Sequence, residues 1–288
     1  DIFPQANIPG GRIAAIAKNF KLPQVWRSSL AFDVKLWRDM LLTIEGIYTK
    51  DINSIAFDNI NLRPALSTIQ VGTDAGGKPI TRPYWSNSTT ATKYIVTTTT
   101  ATPTYPAYTD VVIMKNTKKG QGYSLSAKLD LPRFKGFNGM VAYTKTWGEE
   151  VTGKTGSDPF SAWQYRVIQS SLNDAELGLT GGNTPHRVIA ALNYSIDYLK
   201  ICSSTISFFF TGYKGDAYSY MYSGDANNDG TSTHELMYIP KSANDFVWST
   251  PQDAAAYFTF AAQDPYLSKH QGAFAFRNSA YNPWNTRI

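Results

Sequence analysis

The chain is poor in the residues from which most reactive sites are built. Its 288 residues include one cysteine, Cys202, and three histidines, His186, His234 and His270. A lone thiol excludes an internal disulfide and any multi-cysteine metal site. The histidines are too scattered for the spacing of a zinc centre. Charged residues make up only 17%, and the basic ones are spread out, as at Lys115, Lys118 and Lys119, so the concentrated basic face that nucleic acid demands is absent. There is no Gly-x-Ser-x-Gly elbow and no Gly-rich phosphate cradle. Glu149 and Glu150 are adjacent, and neighbours on a strand face opposite ways, so they do not form an acid–base pair. These absences argue against an enzyme. No apolar run nears the roughly 20 residues of a membrane-spanning helix. The first residues, Asp1 to Gln5, carry neither the basic nor the apolar region of a signal peptide, and the expectation is an internal fragment of a longer chain.

What the sequence does have is alternation. Trp26, Leu30, Phe32, Val34 and Leu36 alternate with Arg27, Ser29, Ala31, Asp33 and Lys35. A strand sends successive side chains to opposite faces, so this stretch has one apolar face and one polar face. After Arg38-Asp39 a second strand runs from about Met40 to Asn53, with Leu41 and Ile47 breaking the pattern. Tyr123, Leu125, Ala127, Leu129 and Leu131 alternate with Ser124, Ser126, Lys128 and Asp130. A turn at Pro132–Gly136 leads into Phe137, Val141, Tyr143 and Trp147, which alternate with Asn138, Ala142, Thr144 and Thr146. A third pair runs from Val188 to Tyr198, turns near Leu199-Lys200, and returns through Ile206, Phe208 and Phe210. Cys202 shares the parity of Ile206 and Phe208, which suits a small apolar role, buried or facing lipid.

Each strand exceeds the roughly 9–11 tilted residues that cross a bilayer. Aromatic residues sit near the strand ends at Trp26, Trp37, Tyr48, Tyr123, Trp147 and Tyr198. The connections alternate between tiny turns and very long loops: residues 54–122, residues 149–184, and everything after Tyr213. Short turns on one side and long loops on the other are the habit of outer-membrane β-barrels. A soluble antiparallel sheet with one wet face remains the alternative. On the barrel reading Leu125, Leu129, Val141 and Tyr143 point to lipid, and Ser124, Ser126, Lys128 and Thr144 to the lumen. Within the loops, Tyr94–Thr98, Thr109–Met114 and Tyr218–Tyr222 have strand character. The Thr97–Thr100 run with Pro103 and Pro106 punctuates the first loop. Residues 254–262 read as a short helix behind Thr250-Pro251.

The sharpest chemical motif is Asp225-Ala226-Asn227-Asn228-Asp229-Gly230. Alternate oxygen-bearing side chains followed by glycine match the first half of a calcium loop, with Asp225, Asn227 and Asp229 as ligands. The twelfth position, which should supply a bidentate Glu, is Leu236, and Glu235 lies one step early. The alternative is an Asx-rich turn held by its own backbone bonds.

Several segments together resemble a family: Leu22-Pro23-Gln24-Val25-Trp26-Arg27, Glu45 to Asp51, Thr184-Pro185-His186-Arg187-Val188, Gly224 to Gly230 continuing to Leu236-Met237-Tyr238-Ile239-Pro240, and Pro283-Trp284-Asn285. They are similar to the barrel of TonB-dependent outer-membrane receptors of Bacteroidetes, those with a carboxypeptidase-regulatory-like extension. The resemblance implies a 22-stranded barrel with an N-terminal plug, importing a nutrient under the drive of the TonB complex. It implies partners too: outer-membrane lipid, the remainder of the receptor, and a surface lipoprotein. The expectation for residues 1–288 is therefore one all-β unit, an antiparallel transmembrane β-barrel sector of about six membrane strands with long extracellular loops, open as a fragment and without plug or closing strands. The competing expectation is a secreted or surface-exposed β-sandwich that binds glycan through its Tyr and Trp residues.

Overall fold

The computed structural model describes residues 11–73, 76–85, 108–153, 156–198, 201–231 and 234–288. The Thr97–Thr100 run, the Tyr94–Thr98 strand expectation, Pro103, Pro106, Leu199-Lys200 and the first five residues lie outside these. The expected strand pairs form an antiparallel meander. β2 (Gln24–Lys35) pairs with β3 (Leu41–Asn59), then come β7 (Gln121–Phe134), β8 (Phe137–Glu150), β10 (His186–Tyr198) and β11 (Cys202–Tyr213). The first turn is tight because Arg38 and Asp39 take left-handed φ of 58° and 57°, and Leu36 N–H donates to Met40 at 2.7 Å. The second uses Lys135 and Gly136, again with positive φ at both, the geometry that matches the twist of two-residue hairpins. A Cβ at Gly136 would lie 2.6 Å from the Ser195 carbonyl oxygen, so only glycine fits.

β3 runs beyond the expected Asn53, because a new partner meets it there. β6 (Tyr108–Thr117) and β7 act as one long strand broken at Lys118–Gly120. β7 covers Leu41 to Lys50 of β3, and β6 covers Ser54 to Asn59. The Thr109–Met114 segment is thus a full member of the sheet. On the far side of β7 the pairing with β8 ends at Gln121↔Glu149, which leaves the outer edge of β6 open. β1 (Gly11–Ile16) takes that edge in parallel. The sheet is therefore mixed, and a purely antiparallel sheet is corrected on this point: unpaired edge groups are satisfied by whichever strand arrives. The sheet stays open, with β2 on one side and β11 on the other, where β16 (Asn285–Arg287) pairs only with Thr211–Tyr213.

Register carries the alternation across the whole meander. Val34, Leu42, Leu129, Val141, Ala190 and Phe210 form one continuous row, and Phe32, Ile44, Ala127, Tyr143 and Val188 the next. On the opposite face Ala31, Glu45, Ser126, Thr144 and Arg187 line up. Leu125, Leu129, Val141 and Tyr143 thus share one face, and Ser124, Ser126, Lys128 and Thr144 the other.

The loops are not structureless. They build two hydrophobic cores at the far end of the sheet from the tight turns. One gathers Phe57, Trp85, Val112, Trp163, Ile168 and Leu172, and includes the helix Pro159–Gln164. The other gathers Leu236, Ile239, Ala261, Tyr266 and Leu267 around the helix Pro251–Gln263, whose Thr250 caps it by accepting from Asp253 N–H. Within Tyr218–Tyr222, only Tyr218 belongs to a strand, the two-residue Ala217–Tyr218 paired with Ala280–Tyr281. Beyond it, Met221 makes an isolated bridge to Leu236. The expected strand breaks there because Tyr220 and Tyr222 spend their backbone on the 235–237 segment.

Candidate functional site

Two regions carry more chemistry than folding alone requires. The first is the apolar face of the meander, which no described element covers. Leu30, Phe32, Leu125, Ile206 and Phe208 are each at least half exposed. Aromatic side chains bound this band at both ends. Near the loops Trp26 meets Tyr48 edge-on at 6.1 Å, and Tyr123 stacks on Trp147 at 5.5 Å. Near the turns Phe137 stacks on Tyr194 at 4.4 Å, and the Arg38 guanidinium lies over Trp37 and Phe134 at 4.1 and 4.3 Å. Trp26 to Leu36 is ten residue steps, about 33 Å of extended strand and about 25 Å in projection if tilted by about 40°. Lys145 and His186 interrupt this face opposite one another. Both sit close to the loop-side aromatics, where a lysine stem reaches aqueous surroundings. His186 is held between Tyr143 and Trp284, with Nδ1 2.7 Å from the Tyr143 hydroxyl. The polar face satisfies itself: Thr43 donates to Asp33 at 2.6 Å, Lys128 pairs with Asp130 at 2.8 Å, and Asn193 donates to Asn138 at 2.8 Å.

The second region is the Asp225–Gly230 loop, where the three expected residues do converge. Asp225 accepts Asp229 N–H at 2.9 Å and Gly230 N–H at 2.6 Å, and the Asn227 side-chain Oδ1 accepts Asp229 N–H at 3.0 Å. The Asn227 amide donates to Asp229 at 3.1 Å, and Asp229 also accepts from Thr231 N–H and hydroxyl. Asn228 at φ 62° and Gly230 at φ 84° make the sharp bend that this wrapping needs. These bonds are those of an Asx-rich turn.

Sequence reasoning set aside Glu235 because it misses the twelfth position, yet its carboxylate lies in the cluster. Carboxylate oxygens of Asp225, Asp229 and Glu235 all fall within 4.8 Å of one another. Glu235 is fully buried, and neither of its oxygens has a hydrogen-bond partner. Burial pushes it up to about 7, with Asp229 and Asp225 adding to the rise and Arg82 opposing it. Arg82 was also missed. It is buried, donates to the Leu236 carbonyl, and leaves Nε and Nη1 without partners. Desolvation lowers it, against the pull of Tyr222 and Glu235. His234 is held below its usual range by burial, with Asp229 opposing, and its ring meets Tyr165 edge-on. Neither Glu235 nor Arg82 fits a local template, since Arg82 reaches the loop from the hairpin of β4 (Ser67–Thr73) and β5 (Pro79–Tyr84). His270 is elsewhere, stacked on Tyr266 at 4.1 Å. Cys202 is exposed at the turn end of the apolar face, opposite Tyr198. No protein-family model, no curated protein and no solved structure matches the chain.

Proposed function

We propose that this chain is a wall segment of an outer-membrane β-barrel that takes up a nutrient, with its loops forming part of the outward-facing capture surface. The observation that carries this reading is the uncovered apolar face. It spans the full height of the meander, is bounded by aromatics at both ends, and contrasts with a hydrogen-bonded polar face. In water an exposed apolar patch beyond a few hundred Å² is a liability. In a barrel the same face meets lipid, and aromatic girdles mark the two interfaces. The open sheet edges fit too, because a wall inside hydrocarbon needs neighbouring strands to satisfy its edge groups. The likeness to TonB-dependent receptors supplies the rest of the proposal: energy from the TonB complex, a plug and further strands from the remainder of the receptor, and a lipoprotein at the surface.

A glycan-binding sandwich would need a second sheet packed about 10 Å over the apolar face. The described residues supply none there, which favours the barrel. The test is fractionation of cells making the full-length polypeptide. We expect it in the outer-membrane fraction, released only by detergent. Recovery of folded protein in the aqueous phase would contradict the reading.

A further inference from the structure

We propose that Asp225, Asp229 and Glu235 bind a hard divalent cation, calcium by the dimensions of the cluster, and that this ion clamps the two loop cores together. An ion held by oxygens at about 2.3–2.6 Å requires ligand atoms no farther apart than about twice that length. The three carboxylates, within 4.8 Å of one another, meet that condition. The independent observation is Glu235. A fully buried carboxylate with both oxygens unpartnered, aimed into two further carboxylates, carries a large desolvation cost unless something positive sits there. Arg82 attracts Glu235 but makes no hydrogen bond to it, since its side-chain hydrogen bond goes to the Leu236 carbonyl, so both carboxylate oxygens remain without a bonded partner.

The donor set selects the ion class. Three carboxylates and no thiolate suit a hard cation that prefers oxygen. Magnesium keeps several waters at about 2.0–2.1 Å in a strict octahedron, and Asp229 and Glu235 are too buried to leave room for that shell. Calcium tolerates an irregular, all-protein shell. The residues around Asp225–Asp229 are already fixed by their bonds to the turn, so the site is organised before the ion arrives.

Its place in the fold gives the site its consequence. Trp85 N–H donates to the Asn227 carbonyl at 2.9 Å, the Asn228 amide to the Trp85 carbonyl at 2.8 Å, and the Asn227 amide to the Ser170 carbonyl at 3.3 Å. On either side of Glu235, Ile168 N–H donates to His234, and Leu236 N–H donates back to Ile168. Ile168 and Trp85 belong to one core and Leu236 to the other. An ion binding Asp225, Asp229 and Glu235 therefore ties the 225–230 turn to the 234–236 segment that bridges to Ile168 and Met221.

The experiment uses the full-length polypeptide purified in detergent, stripped with EDTA and dialysed. Calcium chloride is titrated by calorimetry, and terbium luminescence, sensitised by nearby Tyr222 and Trp85, is read in parallel. Wild type should bind calcium with Kd of roughly 10⁻⁴ M and surrender terbium to it, in the range of extracellular modules. Asp229→Asn and Glu235→Gln should each weaken binding by about 10-fold or more, since affinity follows ligand charge. Asp225→Asn gives a third reading should either variant fail to fold, and Asp245→Asn, outside the cluster, should bind as wild type. Calcium should also slow proteolysis of the 213–250 segment in wild type and Asp245→Asn, and not in the cluster variants. Absence of saturable binding in wild type, or Glu235→Gln and Asp225→Asn binding as tightly as wild type, would overturn the proposal. The site lies in the loops, so this outcome is separate from whether the sheet meets lipid.

Discussion

The two ends of β3 follow opposite burial rules within one strand. Between Leu41 and Asn53 it exposes Ile44 and Tyr48 on an uncovered face, whereas between Ser54 and Asn59 it buries Ala56, Phe57 and Asn59. The first half is walled by β2 and β7, and among the described residues no element packs above it. The second half enters a core with Trp163 and Ile168. The same contrast separates the whole meander from the loop cap. The cap is assembled as water-soluble proteins are, with apolar side chains inside and buried arginines bonded to backbone carbonyls, as Arg277 is to Val151 and Glu150. The meander turns its apolar side chains outward. That difference is the contrast the proposed membrane placement of the meander requires.

The largest effect should separate buried from exposed aliphatics. Ile168, fully buried in the core with Trp163, should cost the cap about 2–5 kcal/mol on change to Ala. Leu192→Ala, on the open face, should cost under about 1 kcal/mol, because in the proposed barrel that side chain meets lipid whether or not it is truncated. Thermal unfolding of the two variants in detergent reads this directly, and equal losses would erase the distinction between the regions.

The next contrast lies within the meander. Leu129→Arg, opposite Leu42 and Val141 near mid-strand, should destabilise the proposed barrel by about 2–4 kcal/mol. Ser126→Arg, opposite Glu45 and Thr144, should be tolerated, since an arginine there meets a carboxylate and water. Yield of heat-modifiable, folded protein in the outer membrane is the measurement. Similar yields from the two variants would break the assignment of faces. A smaller effect belongs to the aromatic border: Phe137→Ala loses its stacking on Tyr194 and should cost about 0.5–1.5 kcal/mol beyond lost area, read from urea midpoints.

The sequence made the meander legible because its signal is local. Alternation over ten residues fixes a face, and the turns at Arg38-Asp39 and Lys135-Gly136 fix who pairs with whom. The helix Pro251–Gln263 was legible for the same reason, through Thr250, Pro251 and Asp253 at its start. The cap was not, because its cores join residues far apart in the chain. Trp85 finds Asn227, and Ile168 finds Leu236, by contacts no short window contains. The strand exceptions Leu41 and Ile47 fall on the polar face and do not shift the register. In the acidic loop Asp225, Asn227 and Asp229 stood out by spacing, but Glu235 entered through the pairing of residues 234–236 with Ile168. The parallel β1–β6 pair had no sequence signature either.

Contact of the apolar face with lipid is tested most directly by site-directed spin labelling along β7. Single cysteines at positions 123 to 131 of the full-length polypeptide, with Cys202 changed to Ser, would be labelled and reconstituted in bilayers. Collisions with apolar oxygen and with a water-soluble nickel chelate would then be compared. We expect a two-residue alternation, with odd positions favouring oxygen most strongly near Ala127 and Leu129, and even positions favouring the chelate. Equal chelate access at both parities would contradict the account.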